Sequence, residues 1–204
     1  LLEGGEPAGW SPPPADVEAV RREVLGPAAA AYGRPVLNPD QDAAWAAAFE
    51  RPVSLVWGPP GTGKTYLLAW MLVGLAAAAR RAGRPCRILV SSATHRAIVN
   101  EVVWVARELV ATGIPCPLRA VKLKGSGSEA DAELEGTPVE LVEDARLAGL
   151  LEEAGEGGEP LVVGSTVWSL WKQMREARSP EAPVASLFDV VVIDEASQMK
   201  VSEA

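Results

Sequence analysis

Histidine, cysteine and long apolar runs are scarce in this chain of 204 residues. His95 is the only histidine, and Cys86 and Cys116 are the only cysteines, at a spacing that fits no common zinc motif. We therefore predict two buried thiols in a reducing compartment rather than a disulfide or a metal site. The longest apolar stretch, residues 67–79, is too short to cross a bilayer. No secretory signal is visible either, so we predict a cytoplasmic protein without a membrane partner.

Basic residues are also in the minority, with 19 against 27 acidic ones and a net charge of −8. Such a balance would at first argue against a nucleic-acid partner. The excess is regional, because residues 125–159 contain eleven acidic side chains and one basic one. This segment carries a net charge of −10 and the remainder +2. Net charge therefore does not exclude nucleic acid.

Glycine, by contrast, is concentrated where chemistry is expected. Residues 58–65 read GPPGTGKT, the G-x-x-x-x-G-K-[ST] pattern of a phosphate loop, and follow an apolar segment at 53–57. In such a loop, backbone N–H groups converge on phosphate oxygens, the lysine adds a positive charge and the last hydroxyl reaches Mg²⁺. The predicted nucleotide-binding residues are Gly58, Pro59, Pro60, Gly61, Thr62, Gly63, Lys64 and Thr65, with Lys64 also catalytic and Thr65 also at the metal.

A second motif, DEASQ, occupies residues 194–198 after the apolar run 190–193. Two adjacent carboxylates at the end of a strand are where an NTPase places a magnesium-binding acid and a water-activating acid. We assign Asp194 to Mg²⁺ and Glu195 to the attacking water. ATP and Mg²⁺ are thus the predicted cofactors.

Strand and helix patterns alternate along the chain, which predicts an α/β fold with a mainly parallel sheet flanked by helices. The predicted strands are residues 53–57, 86–91, 118–122, 160–163 and 188–193. The predicted helices are residues 15–25, 41–49, 64–82, 95–111, 139–153 and 166–177. Most tryptophans, among them Trp45, Trp57, Trp70 and Trp104, are expected in the core rather than as base-stacking platforms. The acidic insert at about residues 124–159 is expected to be a solvated excursion, or alternatively a regulatory or protein-contact element.

Three further segments complete a recognisable set. They are LNPDQ at 37–41, ILVSSATHR at 88–96 and LVVGSTVW at 161–168, in order around the two main motifs. The set resembles the superfamily 1 helicases, in the branch of the RNA-surveillance and replication helicase–nuclease enzymes, from about residue 37 to residue 200. The resemblance implies a RecA-like domain whose ATP hydrolysis drives movement along single-stranded DNA or RNA.

The resemblance also implies roles for individual residues. Gln41 would read adenine, or else be a helix-surface residue, and Gln198 would act as a catalytic sensor of the γ-phosphate. His95 would stack on or donate to a nucleotide, or else be a solvated first-turn residue. The predicted contacts to the nucleic-acid backbone are Thr94, Ser165 and Thr166, whose hydroxyls could equally cap the helices that follow.

Two other classes of function stay open at this stage. AAA+-type protein-remodelling ATPases share the wording GPPGTGKT, although they usually separate the two motifs by far less than the 130 residues between Lys64 and Asp194. A non-enzymatic nucleotide-binding module is the third hypothesis.

The family's next motif and its second RecA-like domain, with the arginine fingers, do not appear in the sequence. We expect residues 1–35 to end an upstream accessory region, and residues 36–204 to form an incomplete RecA-like domain. In the RecA-like topology, the strand of the next motif lies between the phosphate-loop strand and the DEASQ strand. These residues alone are therefore expected to lack helicase-like ATPase activity, and the second domain is an expected partner.

Overall fold

The computed structural model describes residues 14–114, 116–124, 129–156, 158–170 and 187–198. Its strands are β1 (Arg87–Ser91), β2 (Arg119–Leu123), β3 (Glu140–Val142), β4 (Leu161–Gly164) and β5 (Val190–Ile193). They form one sheet in the order β3-β2-β4-β1-β5, and every neighbouring pair is parallel. The fold is therefore the predicted α/β type, with a parallel sheet consistent with RecA-like P-loop proteins.

Helices cover both faces of this sheet. They are α1 (Pro14–Tyr32), α2 (Pro39–Ala47), α3 (Lys64–Arg81), α4 (His95–Thr112) and α5 (Leu147–Gly155). Alternate side chains of β1 point to opposite faces. Ile88 and Val90 pack with α1 to α4, whereas Leu89 packs with α5. None of the helices in the described ranges is long and apolar enough to cross a membrane.

Helix α3 is the most buried helix in the described part of the chain. All but one of its residues from Leu67 to Ala79 are buried, as expected for a helix that is apolar on every side. Gly74 of α3 allows the rings of Trp45 and Phe49 to approach the helix backbone closely. An added Cβ at this position would lie 2.7 Å from Trp45 and 2.9 Å from Phe49. The Trp45 indole N–H also donates to the Trp70 carbonyl at 2.9 Å. These contacts attach α2 firmly to α3.

Four predicted strands and the long helices after residue 64 agree with the structure to within about two residues. Helix α1 extends beyond the predicted 15–25, because its buried positions Val20 and Val24 continue to Ala28. Of the helix predicted at 166–177, residues 167–170 are helical. The remainder of that prediction lies outside the described residues.

The strand predicted at residues 53–57 is wrong. The segment pairs with no strand of the sheet, and its apolar side chains are exposed, Leu55 at 94% and Trp57 at 90%. A strand requires a ladder partner, and no strand in the described ranges pairs with this segment.

The acidic insert differs from the expected excursion. Residues 140–142, assigned to a helix by the pattern, form β3 beside β2, and the helix begins only at Leu147. Arg119 binds Glu140 at 2.8 Å and Glu153 at 3.1 Å. Part of the insert therefore completes the sheet and packs on it.

Tryptophan burial is divided. Trp45 and Trp70 are fully buried as predicted. The core positions predicted for Trp57 and Trp104 are wrong, because Trp57 is almost fully exposed and Trp104 is partly exposed at the helix surface. Both residues lie in apolar stretches of the sequence, but no other element in the described part of the protein covers their side chains completely.

Replacing Gly74 with alanine should destabilise the protein by about 1–3 kcal/mol, since the new methyl group would overlap two rigid aromatic rings. Gly149, which is exposed in α5 with nothing within 4 Å of an added Cβ, provides the matched control. Gly149→Ala should instead stabilise by about 0.5–1 kcal/mol. Urea unfolding at 25 °C measures both. Equal stabilisation by the two substitutions would contradict the packing described for α2 on α3.

Candidate nucleotide-binding site

The phosphate loop is shaped by its glycines. Gly61 and Gly63 have φ angles of +83° and +79°, a left-handed conformation that side chains other than glycine adopt at a cost. The Thr62 hydroxyl donates to the Pro59 carbonyl at 2.9 Å and closes the turn. Gly63 is the N-cap of α3 and has no side chain to cap it. The first N–H groups of a long buried helix therefore face the loop, an arrangement that attracts anions.

Lys64 lies across the same loop. Its Nζ donates to the carbonyls of Gly58 at 2.8 Å and Pro59 at 3.1 Å. These acceptors are neutral, and no carboxylate in the described ranges pairs with the ammonium group. Its positive charge is therefore available to an anion held by the loop. Thr65 follows in the first turn of α3.

Gln41 connects α2 to the phosphate loop. Its backbone N–H donates to Asn38 Oδ1 at 2.9 Å, and its Oε1 accepts from the Asn38 N–H at 3.1 Å, so the two residues form a capping box. The Gln41 Nε2 donates to the Thr62 carbonyl at 3.2 Å. The sequence did not predict this link. One N–H and one lone pair of the amide stay uncommitted, as adenine recognition would need.

A second group of predicted residues meets at the carboxyl edge of the sheet. Ser91 of β1 is opposite Ile193 of β5, and Val90 is opposite Gly164 of β4. Beyond these positions, the Asp194 N–H donates to the Ser91 carbonyl at 2.9 Å, and the Ser165 N–H donates to the Val90 carbonyl at 3.0 Å. Parallel strands thus bring three loops together at the edge where open α/β sheets bind ligands.

The two acidic residues of DEASQ occupy a strained turn. Glu195 has φ +52°, the only positive φ of a residue other than glycine in the described ranges. Such a conformation costs about 1–3 kcal/mol. The Glu195 N–H donates to Asp194 Oδ1 at 2.9 Å, and the Gln198 N–H donates to the Glu195 carbonyl at 2.8 Å. Asp194 is half-buried, whereas Glu195 and Gln198 are exposed.

The phosphate loop and the two DEASQ carboxylates are positioned by different elements. The loop leads into α3, whereas Asp194 and Glu195 follow β5. No hydrogen bond or ion pair within the described residues joins the loop to Asp194 or Glu195. Helix α4 packs against both α3 and β1, and its Trp104 ring meets Tyr66, in the first turn of α3, edge-on at 5.6 Å. The nucleotide-binding assignments of the individual residues therefore stay predictions.

Two of the predicted nucleic-acid residues, Thr94 and Thr166, act as helix caps in this structure. Thr94 Oγ1 accepts from the Ala97 N–H at 3.2 Å, and Thr166 Oγ1 accepts from the Ser169 N–H at 3.2 Å. Ser165 is buried, and His95 is half-buried at the first position of α4. Capping does not prevent a contact with phosphate at the exposed Thr94, so the predicted contacts stay open.

Glu101 belongs to none of the sequence motifs. It is fully buried on α4, and neither carboxyl oxygen has a hydrogen-bond partner in the described part of the chain. Burial raises the pKa of Glu101 well above its usual value, and the negative charge of Asp194 raises it further. An acid three residues from Ile98 and adjacent to Val102, within the apolar face of α4, is the signal that could have revealed it.

The prediction of two buried thiols is confirmed, since Cys86 and Cys116 are both buried and free. Burial is the main cause that raises the pKa of Cys86 to about 12 and that of Cys116 to about 11. Both thiols are therefore neutral near pH 7 and have little nucleophilic character. In the ranges that the structure describes, no group of three or more His, Cys, Asp or Glu residues is placed to hold a metal ion.

Residues 36–128 match a family model described as an AAA domain. The matched range contains the phosphate loop and the strands β1 and β2, but not Asp194 or Glu195. The match supports a P-loop NTPase of helicase-like type at the level of the family. No curated protein and no solved structure matches the chain.

Proposed function

We propose that this chain is a motor domain that couples ATP hydrolysis to movement on single-stranded DNA or RNA. The observation that carries the proposal is the phosphate loop. Two left-handed glycines lead into the uncapped start of a buried helix, beside a lysine that pairs with no carboxylate of the described residues. This combination favours a bound polyphosphate.

The residues present fit ATP and Mg²⁺. Lys64 and the α3 N–H groups would hold the β- and γ-phosphates, Gln41 would contact adenine, and Thr65 with Asp194 would hold the cation. Mg²⁺ usually takes one or two carboxylates together with substrate phosphates, so a larger cluster of acids is not required. When bound, Mg²⁺ neutralises negative charge on the phosphates.

The remaining side chains would serve hydrolysis. Glu195 is exposed next to Asp194, where it would orient the attacking water and accept its proton. Gln198, one short helical turn further along, would sense the γ-phosphate. The strained backbone at Glu195 supports a functional role, because such conformations occur preferentially at active sites.

Nucleic acid would bind at the carboxyl edge of the sheet. Thr94, His95 and Thr166 begin helices there, and the helix N-termini would favour phosphate groups. The helicase-like family generally acts on nucleic acids, which supports this choice. A second RecA-like domain would supply the arginine that completes the site.

The alternative, an AAA+-type protein-remodelling ATPase, is kept because the matching family is described as an AAA domain. The two functions differ in what stimulates ATP turnover. Single-stranded DNA or RNA should accelerate hydrolysis by the motor proposed here, whereas an unfolded protein should accelerate a remodelling enzyme. Stimulation by unfolded protein alone would favour the alternative.

Lys64→Ala should abolish the ATPase activity of the full-length protein, because the β- and γ-phosphates lose the cation supplied by the loop. Nucleic-acid-stimulated phosphate release measures the effect. Lys124→Ala is the matched control. Lys124 is exposed and binds Glu143 at 2.8 Å, after the strands β2 and β3 that form the opposite edge of the sheet from β5. Turnover of Lys64→Ala within about twofold of the parent would refute the assignment of residues 58–65.

Glu195→Gln should stop hydrolysis while ATP and Mg²⁺ still bind, since the amide keeps the shape of the side chain but cannot accept a proton. Asp194→Asn should instead raise the Mg²⁺ concentration needed for nucleotide binding. Titration of Mg²⁺ against a fluorescent ATP analogue separates the two effects. If both variants gave the same titration curve, the roles assigned to the two acids would be wrong.

Gln41→Ala should reduce the preference for ATP over GTP, because loss of a bidentate amide removes about 1–3 kcal/mol of base selectivity. Competition binding with the two nucleotides measures the preference. Asn38→Ala is the control, since it breaks the same capping box but leaves the Gln41 amide in place. An equal loss of ATP and GTP affinity in Gln41→Ala would indicate that Gln41 only positions the phosphate loop through Thr62.

A further inference from the structure

Helix α4 presents one side to solvent, and the proposed function uses only the start of this helix. Its other sides are covered by the sheet, by α1 and α3, and by a short helical turn of the acidic insert at Glu129–Leu134. None of the six exposed residues of α4 is acidic, although acidic residues outnumber basic ones by 27 to 19 in the chain. The exposed residues are Arg96, Asn100, Trp104, Arg107, Val110 and Ala111.

Four of these side chains form a line along the helix, which we name the α4 surface. Arg96, Asn100, Trp104 and Arg107 are separated by four, four and three residues, the spacing that places residues on the same face of an α-helix. They span about 16 Å along the helix axis. The α4 surface combines positive charge with an aromatic ring, as surfaces that bind single-stranded nucleic acid do.

The Trp104 ring is held in place although it is not buried. It meets Tyr66 edge-on at 5.6 Å, and the Tyr66 hydroxyl donates to the Val36 carbonyl at 3.0 Å. Tyr66 in turn meets the fully buried Trp70 at 6.2 Å. Trp104 is nevertheless 41% exposed. A ring that is held by a neighbour and still partly open to solvent loses little conformational freedom when a base stacks on it.

The two arginines of the α4 surface differ in their partners. Arg96 pairs with Glu133 of the acidic insert at 3.4 Å, and its side chain remains 76% exposed. The start of the α4 surface therefore accommodates an anionic oxygen, and exposed ion pairs of this kind are weak enough for a phosphate to replace the carboxylate. No carboxylate in the described ranges pairs with Arg107, so its guanidinium is available to a second phosphate.

We propose that the α4 surface binds a single strand of DNA or RNA, with a base stacked on Trp104 and backbone phosphates held by Arg96 and Arg107. Glu133 competes with the strand for Arg96. The inference rests on the proposed function, because it extends the nucleic-acid contact expected at Thr94 along the exposed side of the same helix. The positive charge and the lack of acid among the exposed residues of α4 favour a polyanion over a protein partner.

A fluorescein-labelled oligothymidylate and its oligouridylate counterpart, titrated onto the full-length protein at several NaCl concentrations, test the α4 surface by anisotropy. Trp104→Ala should weaken binding by about fivefold to a hundredfold, because a base loses its stacking partner, and should leave the salt dependence unchanged. Trp104→Phe keeps an aromatic face and should bind within about threefold of the parent. Arg107→Gln should weaken binding and lower the steepness of log K against log salt by about 0.7.

Arg146→Gln is the matched control for charge, because Arg146 is exposed and precedes α5, on the opposite face of the sheet from α4. Its affinity should stay within about twofold of the parent. Equal losses in Arg107→Gln and Arg146→Gln would overturn the α4 surface, as would a loss in Trp104→Ala that Trp104→Phe does not restore. If the parent binds and neither Trp104→Ala nor Arg107→Gln changes the affinity, the α4 surface is overturned and the proposed function stands. If the parent binds neither oligonucleotide, the proposed function itself fails.

Glu133→Gln tests the competition for Arg96. Release of Arg96 should strengthen oligonucleotide binding about two- to fivefold, the change that corresponds to loss of an exposed ion pair. The gain should disappear when Glu133→Gln is combined with Arg96→Gln. Glu135→Gln removes the same charge from another exposed position of the insert and should have a smaller effect. Equal gains in Glu133→Gln and Glu135→Gln would overturn the competition and indicate general repulsion by the insert.

Discussion

Burial of α3 is the constraint on which the rest of the candidate site depends. The helix is enclosed from Leu67 to Ala79, with α1, α2 and α4 packed around it. A helix held in this way cannot tilt or unwind at its start without opening the core. Its first N–H groups therefore keep a fixed direction. The glycine turn before Lys64 is attached to this fixed helix start and is held in place by it. Packing in the interior thus preorganises a loop that is itself exposed.

The parallel sheet imposes a second constraint. Because all strands run the same way, the chain after β1, β4 and β5 emerges at one edge, and the ladders fix the offset of each loop. Ser92, Ser165 and Asp194 become neighbours although they are far apart in sequence. Helix α4 begins after β1 at this edge and also packs on α3, where its Trp104 ring meets Tyr66.

Sequence alone predicted the features that local chemistry determines. The glycine turn and the start of α3 follow from the residues of GPPGTGKT themselves. The strand predicted at residues 53–57 is wrong because an apolar segment becomes a strand only when another strand pairs with it. Strand β3 was missed because its three residues depend on the β2 ladder and on Arg119. Glu101 carries no motif, and only the tertiary packing of α4 makes it unusual.

The sheet order also governs how the acidic insert affects ligands. The insert contributes β3, at one edge of the sheet, whereas Asp194 follows β5 at the other. Four strand spacings of about 4.8 Å separate the two edges by about 19 Å. That distance is about twice the screening length of roughly 8 Å at physiological salt. Repulsion from the β3 part of the insert is therefore largely screened near Asp194, whereas Glu133 of the same insert pairs with Arg96, next to Thr94 and His95 at the start of α4.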